Sequence, residues 1–267
     1  MCLIAFAIGA SARWPLVIAA NRDEFLDRPT LPLAPWRSDA GTDIISGRDI
    51  RAGGTWLGLT AAGRLAMLTN VRGPASLTGE KSRGELVTRW LESSEDAATF
   101  MAQIDGPAYG GFNLVLGDFN SGVWHWLSNK PGPALESRAL APGVYGLSNG
   151  ALDTPWPKTL GLKKTLHSAL AASDEKALEQ ALMTALRDKR RAGREDLPST
   201  GVPLALEEAL SSAFVDFPEH GYGTRCSTVL VACAASEGWD LDVREVTHAH
   251  RADDTAGTQN VQLRWRS

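Results

Sequence analysis

The order of secondary-structure signals along the chain predicts an α+β fold in which sheets meet face to face and helices lie on the outside. Short apolar runs bounded by turn residues fill the first third of the 267 residues, leucine-rich stretches with helical spacing follow, and strand-like runs return at the end. Apolar residues make up 43% of the chain, which is enough for a core without disulfides or metals. No segment is poor enough in apolar residues to divide two domains, so we expect a single domain over residues 1–267.

The first third of the chain is predicted to contain two β-hairpins. Apolar runs at residues 3–9 and 15–21 surround one turn, and runs at residues 53–60 and 64–71 surround another. Three prolines between residues 29 and 35 exclude a helix or a central strand there, because proline cannot donate a backbone hydrogen bond. The first strand begins at residue 2, so we expect the chain start to be anchored in a sheet.

Helical signals dominate the middle of the chain. Ser82 followed by Glu85 has the spacing of a capping box, and residues 157–189 read as two amphipathic helices broken near Ser173 and Asp174. Shorter helical stretches and the remaining strands complete the prediction. The helical stretches are residues 94–104 and 204–214, and the strands are residues 112–118, 122–129, 226–234, 238–246 and 261–266.

Charge and sequence patterning exclude several classes of function. The formal net charge of -4 gives no electrostatic footprint for nucleic acid or for an anionic membrane surface. The apolar start lacks the basic region of a signal peptide, and no stretch is long and apolar enough to span a bilayer. We therefore expect a cytoplasmic protein with neither a nucleic-acid partner nor a membrane span.

The cysteines and histidines show no metal-binding spacing. Cys226 and Cys233 lie in an apolar run, where small buried side chains are the expected interpretation, and three cysteines in a cytosolic protein are expected to be thiols. The five histidines show no zinc or metalloprotease spacing, so no metal site is predicted. Any of these histidines could serve as an axial haem ligand, and nothing in the local sequence selects one.

Cys2 differs from the other cysteines because it directly follows the initiator Met1. An ordinary thiol with a pKa of about 8.5 holds little thiolate at neutral pH, so a catalytic cysteine needs a base. A first-residue cysteine carries its own base, since an α-amine has a pKa of roughly 7.7 to 8.0. This chemistry requires the removal of Met1, which is expected when the next side chain is small.

A polar tetrad, Asn21 to Glu24, follows the second apolar run, where a hairpin would return the chain to residue 2. Arg22 could place positive charge near a thiolate, and Asp23 could orient the amine. The same tetrad could also be a strand end and turn.

Three later residues have chemistry that would suit an acyl-transfer site. Asn70 and Asn149 each follow an apolar run and could donate to an oxyanion, although asparagine beside glycine is also common in turns. Arg225 begins a late strand and could be a buried cation near the site or an edge charge.

Several motifs together resemble the NRDE family, the transport and Golgi organisation group. They are MCLIAF at 1–6, ANRDEF at 20–25, GRDIRAGGTWLGL at 47–59, MLTNVR at 67–72, SRGELV at 82–87, YGGFNLVLGD at 109–118, YGLSNGALDTPWPK at 145–158 and YGTRCSTVLV at 222–231. More distantly, their order is similar to cysteine N-terminal-nucleophile hydrolases such as bile-salt hydrolases and penicillin V acylases. This resemblance implies a four-layer αββα sandwich.

The same resemblance implies roles for individual residues. Cys2 would match the nucleophile and amine base, and Arg22 and Asp23 would match the residues beside it. Asn70, Asn149 and Arg225 would match, by order and context, the remaining catalytic positions. Substrate contacts are expected from the residues Asn21, Glu24 and Trp56.

Two functions follow from these observations. The first is an N-terminal-nucleophile hydrolase that uses Cys2 to cleave an amide or thioester of a small amphipathic acyl substrate, with no cofactor required. The second is a non-catalytic carrier that binds haem or acyl-CoA in the same pocket, because the resemblance associates the NRDE family with haem mobilisation and acyl-CoA handling. Aromatic walls for such a pocket could come from some of the nine tryptophans.

Overall fold

The fold is described from a computed structural model that covers residues 2–73, 79–130, 132, 134–236, 238–250 and 255–265. The strands are β1 (Cys2–Ile8), β2 (Leu16–Phe25), β3 (Thr30–Arg37), β4 (Asp43–Asp49), β5 (Leu57–Thr60), β6 (Arg64–Asn70), β7 (Phe112–Asp118), β8 (Val123–Ser128), β9 (Glu136–Ala139), β10 (Gly143–Leu147), β11 (Asp216–Phe217), β12 (Tyr222–Ala235), β13 (Gly238–Thr247) and β14 (Gly257–Trp265). The α-helices are α1 (Gly84–Glu92), α2 (Ala97–Ala102), α3 (Pro157–Ala169), α4 (Glu175–Leu186) and α5 (Leu204–Ala209).

These strands form two antiparallel sheets. The first has the order β10-β1-β2-β12-β13-β14, with the short β11 paired to β12. The second is a meander in which β3 to β9 are neighbours in chain order. The first strand of the chain therefore lies inside the first sheet, between β10 and β2.

The core of the described residues consists of three large apolar layers and a smaller cluster that packs α5 against β11 and the start of β12. Alternate residues of β1 contribute to two different layers. Ile4 and Phe6 face the second sheet, whereas Leu3 and Ala5 face α3 and α4. A third cluster packs α1 and α2 against the outer face of the second sheet. The layers are helix, sheet, sheet and helix, which confirms the predicted α+β class and the αββα arrangement.

Local differences from the sequence prediction have simple causes. The capping box expected at Ser82 and Glu85 does not form, because α1 starts at Gly84 without a side-chain cap and Glu85 instead accepts a hydrogen bond from the Tyr109 hydroxyl at 2.7 Å. The proline-containing segment is the edge strand β3, whose register shifts between Leu31 and Ala34.

The helices predicted in residues 157–189 are α3 and α4, and Asp174 caps the second of them through the Ala177 N–H. None of the helices in the described part of the chain has the length and apolar character needed to cross a bilayer.

Candidate active site

Cys2 starts β1, which lies between the edge strand β10 and β2 in the first sheet. Its register partner on β2 is Arg22, and the partner of Arg22 on β12 is Cys226. The Ser148 hydroxyl donates to the Cys2 carbonyl oxygen at 3.1 Å, which fixes the backbone of the first strand. Burial raises the pKa of the Cys2 thiol, so the resting side chain is held as a neutral thiol.

A cavity of about 270 Å³ opens beside Cys2. Its wall is mixed: Trp56 and Leu68 supply apolar surface, and the start of α1 supplies backbone at Gly84. Gly54 packs directly on Gly84, where an added Cβ would come within 2.6 Å of the Gly84 carbonyl carbon, so this part of the wall has no side chains. Charged residues complete the lining, and they are Arg22, Arg28, Lys81, Arg83, Asp23, Glu24, Asp49 and Glu80.

Arg22 lines this cavity with its guanidinium held in place on two sides. The group stacks on the Trp56 ring at 4.4 Å, and its Nη2 lies 3.5 Å from the Asp49 carboxylate. Arg28 shares the same carboxylate at 2.6 Å, so two cations face one anion. The Arg22 Nη1 is buried and has no hydrogen-bond partner among the described residues. An unpaired buried donor beside a thiol is suited to receive an oxygen atom of a ligand.

Asp23 and Glu24 have different surroundings although they are neighbours on β2. The Thr224 hydroxyl donates to the Asp23 carboxylate at 2.7 Å, and burial raises the pKa of Asp23. Burial alone would raise the pKa of Glu24 as well. The Phe25 N–H and the charges of Arg22 and Arg28 outweigh that effect, so the pKa of Glu24 is lowered.

The two asparagines take different positions. Asn70, at the end of β6, lines the cavity. Asn149 is only 1% exposed and lies outside the cavity lining. Its Nδ2 donates to the Asn70 carbonyl oxygen at 2.8 Å, and its Oδ1 accepts from Arg72 and from Ser148. The structure therefore brings only Asn70 to the cavity, because the Asn149 amide is used to hold the Asn70 backbone.

Asn21 and Arg225 also lie away from the cavity beside Cys2. The Asn21 amide donates to the carbonyl oxygens of Leu186 and Ala213 on the helix-facing side of β2, a position that does not fit the expected substrate contact. Period-two alternation causes this, since neighbouring strand residues point to opposite faces. Arg225 donates from Nη1 to the Phe25, Leu26 and Arg28 carbonyl oxygens, and it lines a separate cavity of about 310 Å³.

The family model "Transport and Golgi organisation 2" matches residues 1–242. The chain belongs to this family. The human Transport and Golgi organization protein 2 homolog is 32% identical over 251 residues, which cover 88% of this chain and 89% of the human protein. The Drosophila melanogaster Transport and Golgi organization protein 2 is 30% identical over 256 residues, covering 86% and 87% of the two chains. The resemblance to the NRDE family is therefore confirmed.

A solved structure is similar in fold. The Caenorhabditis elegans N-acylethanolamine-hydrolyzing acid amidase ortholog superposes with a TM-score of 0.53 at 14% sequence identity, covering 86% of this chain and 92% of that chain. At this identity the likeness concerns the fold alone. It confirms the predicted N-terminal-nucleophile-hydrolase-like sandwich for this member of the Transport and Golgi organisation 2 family.

Sequence reasoning missed a group of buried charges behind Cys2. Arg72 and Glu207 form a salt bridge at 2.5 Å with side chains only 3% and 2% exposed. Lys158 is 7% exposed, and burial lowers its pKa to about 8. Lys158 closes the motif YGLSNGALDTPWPK, and a lysine among apolar residues near a helix start was the available signal.

The expected haem ligand finds limited support in the cavity. Haem iron is held in proteins by histidine, cysteine thiolate, methionine or tyrosine. Among the described residues that line the cavity, Cys2 is the one side chain of these types, and its raised pKa disfavours the thiolate. These residues do not fit a haem site.

Proposed function

We propose that this protein is a cysteine N-terminal-nucleophile hydrolase that cleaves an amide or thioester bond of a small amphipathic acyl compound. The observation that carries the proposal is the placement of Cys2 at the start of β1, opening on a cavity that Arg22 also lines, with the buried Arg22 Nη1 lacking a hydrogen-bond partner among the described residues. The fold likeness to an acid amidase supports the same reaction class by analogy.

The first chemical step forms an acyl-enzyme. Once Met1 is removed, the free amine of Cys2 accepts the proton of its own thiol, and the sulfur attacks the substrate carbonyl carbon. The tetrahedral oxyanion accepts hydrogen bonds from the Arg22 Nη1 and from the Asn70 amide. The amine then gives the proton to the leaving amine or thiol, and the acyl group stays on Cys2 as a thioester.

The second step releases the acid. Water loses a proton to the Cys2 amine and attacks the thioester carbonyl, and the proton then returns to the departing sulfur. Asp23, next to Arg22 on β2, orients the amine through its carboxylate. Because burial raises the pKa of the Cys2 thiol, thiolate is scarce at rest, so proton transfer to the amine must accompany the attack.

The cavity lining accounts for an amphipathic substrate. Trp56 and Leu68 offer an apolar wall to an acyl chain, while Arg28 and Lys81 offer charge to a polar end. The volume of about 270 Å³ suits a small acyl group.

The test uses purified protein whose intact mass shows that Cys2 is the first residue. The protein is incubated with p-nitrophenyl esters and thioesters of short and long acyl chains, and the N-terminal peptide is analysed by mass spectrometry. We expect an acyl adduct on Cys2 that is absent from Cys2→Ala and present in Cys226→Ala, the matched control on β12, two strands away. The absence of an adduct across the whole panel would overturn the proposal, and saturable haem or acyl-CoA binding in the same samples would favour a carrier.

A further inference from the structure

We propose that Lys158 is a positioning residue that compensates the negative charge of Asp23 behind Cys2 and thereby keeps the Cys2 amine and thiol reactive near neutral pH. This inference rests on the proposed function, because it assigns a role within the same site. It concerns a residue that lies outside the substrate cavity, on the helix-facing side of the first sheet.

Lys158 is fixed by the way α3 begins. Pro157 is the first residue of the helix, and Trp156 before it lies 4.9 Å from the Arg72 guanidinium. The first turn of α3 packs on β10 at Gly146, where an added Cβ would come within 2.7 Å of the Thr159 Cγ2. This close approach places Lys158 over the sheet beside the end of β1 that carries Cys2.

The position is unfavourable for a lysine in two ways. Its Nζ is buried and has no hydrogen-bond partner among the described residues, which costs desolvation free energy. It also stands in the first turn of a helix, where the macrodipole disfavours a cation. Buried groups that violate local preferences in this way are expected at functional sites.

Charged groups surround Lys158 and offset part of this cost. Four titratable or charged groups act on it from the surrounding elements: Asp23 on β2, Arg72 after β6, Cys2 on β1 and Glu207 on α5. Arg72 and Glu207 pair with each other, so their charges largely cancel. Asp23 is the largest stabilising charge for the Lys158 ammonium, and the Lys158 ammonium is the largest charge that counters the burial of Asp23.

The register links this pair to the amine. Because Cys2 is opposite Arg22 in an antiparallel pair, the nitrogen end of Cys2 points along β2 toward Asp23. An uncompensated Asp23 carboxylate would raise the pKa values of both the amine and the thiol, and less of the neutral amine would then be available as a base. The Lys158 charge opposes that effect without contact with the substrate.

The inference is tested by the pH dependence of Cys2 alkylation, which needs no turnover. Full-length protein beginning at Cys2, released by a site-specific protease, is treated with iodoacetamide across the range from about pH 5 to pH 10, and the Cys2 peptide is quantified by mass spectrometry. In Lys158→Met we expect the alkylation midpoint to rise by about one pH unit, which lowers the rate near neutral pH about tenfold. Lys158→Arg keeps the positive charge, so its alkylation midpoint should lie at or below the wild-type value. Lys164→Met, at an exposed position of the same helix, should leave the alkylation midpoint unchanged.

Several outcomes separate this role from a structural one. A Lys158→Met protein that melts earlier but keeps the wild-type midpoint overturns the inference. In a double-mutant cycle with Asp23→Asn, the two shifts should be non-additive, and strictly additive shifts count against it. If Lys158→Met fails to fold, the Lys158→Arg variant provides the test. An alkylation midpoint of Lys158→Arg above the wild-type value would contradict charge compensation. A shifted midpoint without any acyl adduct would support the inference and refute the proposed hydrolase, whereas acylation with an unshifted midpoint would do the reverse.

Discussion

Glu207→Gln should destabilise the protein strongly although the two side chains are nearly equal in size. Glu207 and Arg72 pair at 2.5 Å with side chains 2% and 3% exposed, so the substitution leaves an arginine charge buried without its counter-ion. Breaking one partner of a buried pair typically costs about 3–5 kcal/mol. Glutamine keeps the oxygen that accepts from the Thr200 N–H and hydroxyl, so the change is confined to the oxygen that faces Arg72, where a charged acceptor becomes a neutral N–H donor.

The expected size of the effect can be measured by thermal and urea unfolding. For a chain of this length, 1 kcal/mol corresponds to roughly 2–4 °C in Tm, so the substitution should lower Tm by about 6–20 °C. Glu208→Gln is the matched control, because Glu208 is the next residue and its contact with the exposed Arg194 side chain is long, at 3.8 Å. The control should change Tm by at most about 4 °C.

A second readout connects this pair to the active site. Arg72 also holds Asn149 through its backbone N–H and its Nη2, and Asn149 holds the Asn70 carbonyl. We therefore expect Glu207→Gln to slow acylation of Cys2 even well below its melting temperature. Equal melting temperatures for Glu207→Gln and Glu208→Gln would refute this account of the buried pair. Replacing both partners with Arg72→Met and Glu207→Leu should recover most of the stability, because no charge then remains buried.

Substitutions at three further positions test two parts of the site and one buried histidine outside it. Asn70→Ala should lower the acylation rate about 100- to 1,000-fold with little change in Tm, as for the loss of an oxyanion donor, and an unchanged single-turnover rate would remove Asn70 from this role. Trp56→Leu should slow acylation about 5- to 30-fold while Trp56→Phe retains most of it, because the ring holds the Arg22 guanidinium, and equal rates would contradict that reason. Burial lowers the pKa of His248 to about 4, so its protonation favours the unfolded chain and stability should fall as the pH drops from about 6.5 toward 4. His248→Gln should flatten that part of the pH profile in urea unfolding, and an unchanged slope would exclude His248 as its source.

The sheet framework was predictable because its signals are local. Short apolar runs separated by turn residues identified β1 and β2, and leucine spacing identified α3 and α4 near their observed bounds. No strand was predicted for β3, β4, β9, β10 or β11. Of these, β9 is fully exposed, and β9, β10 and β11 are only a few residues long, whereas the prolines of β3 argue against a regular strand. Face assignments within the polar tetrad were also beyond the sequence, because the turn that sets the register decides which residue meets the cavity.

The buried charges behind Cys2 depend on contacts between distant parts of the chain. Arg72 and Glu207 are 135 residues apart, and neither lies in a local pattern that signals an ion pair. The neighbours of Lys158 in the sequence offer a weak signal, but its burial depends on the packing of α3 over Gly146. Sequence motifs predicted several residues that line the cavity. The buried charges that we propose tune the reactivity of Cys2 are brought together by long-range packing, which those motifs do not describe. A member of this fold could therefore keep Cys2, Arg22 and Asp23 and still differ in reactivity at neutral pH if it replaced the lysine at position 158.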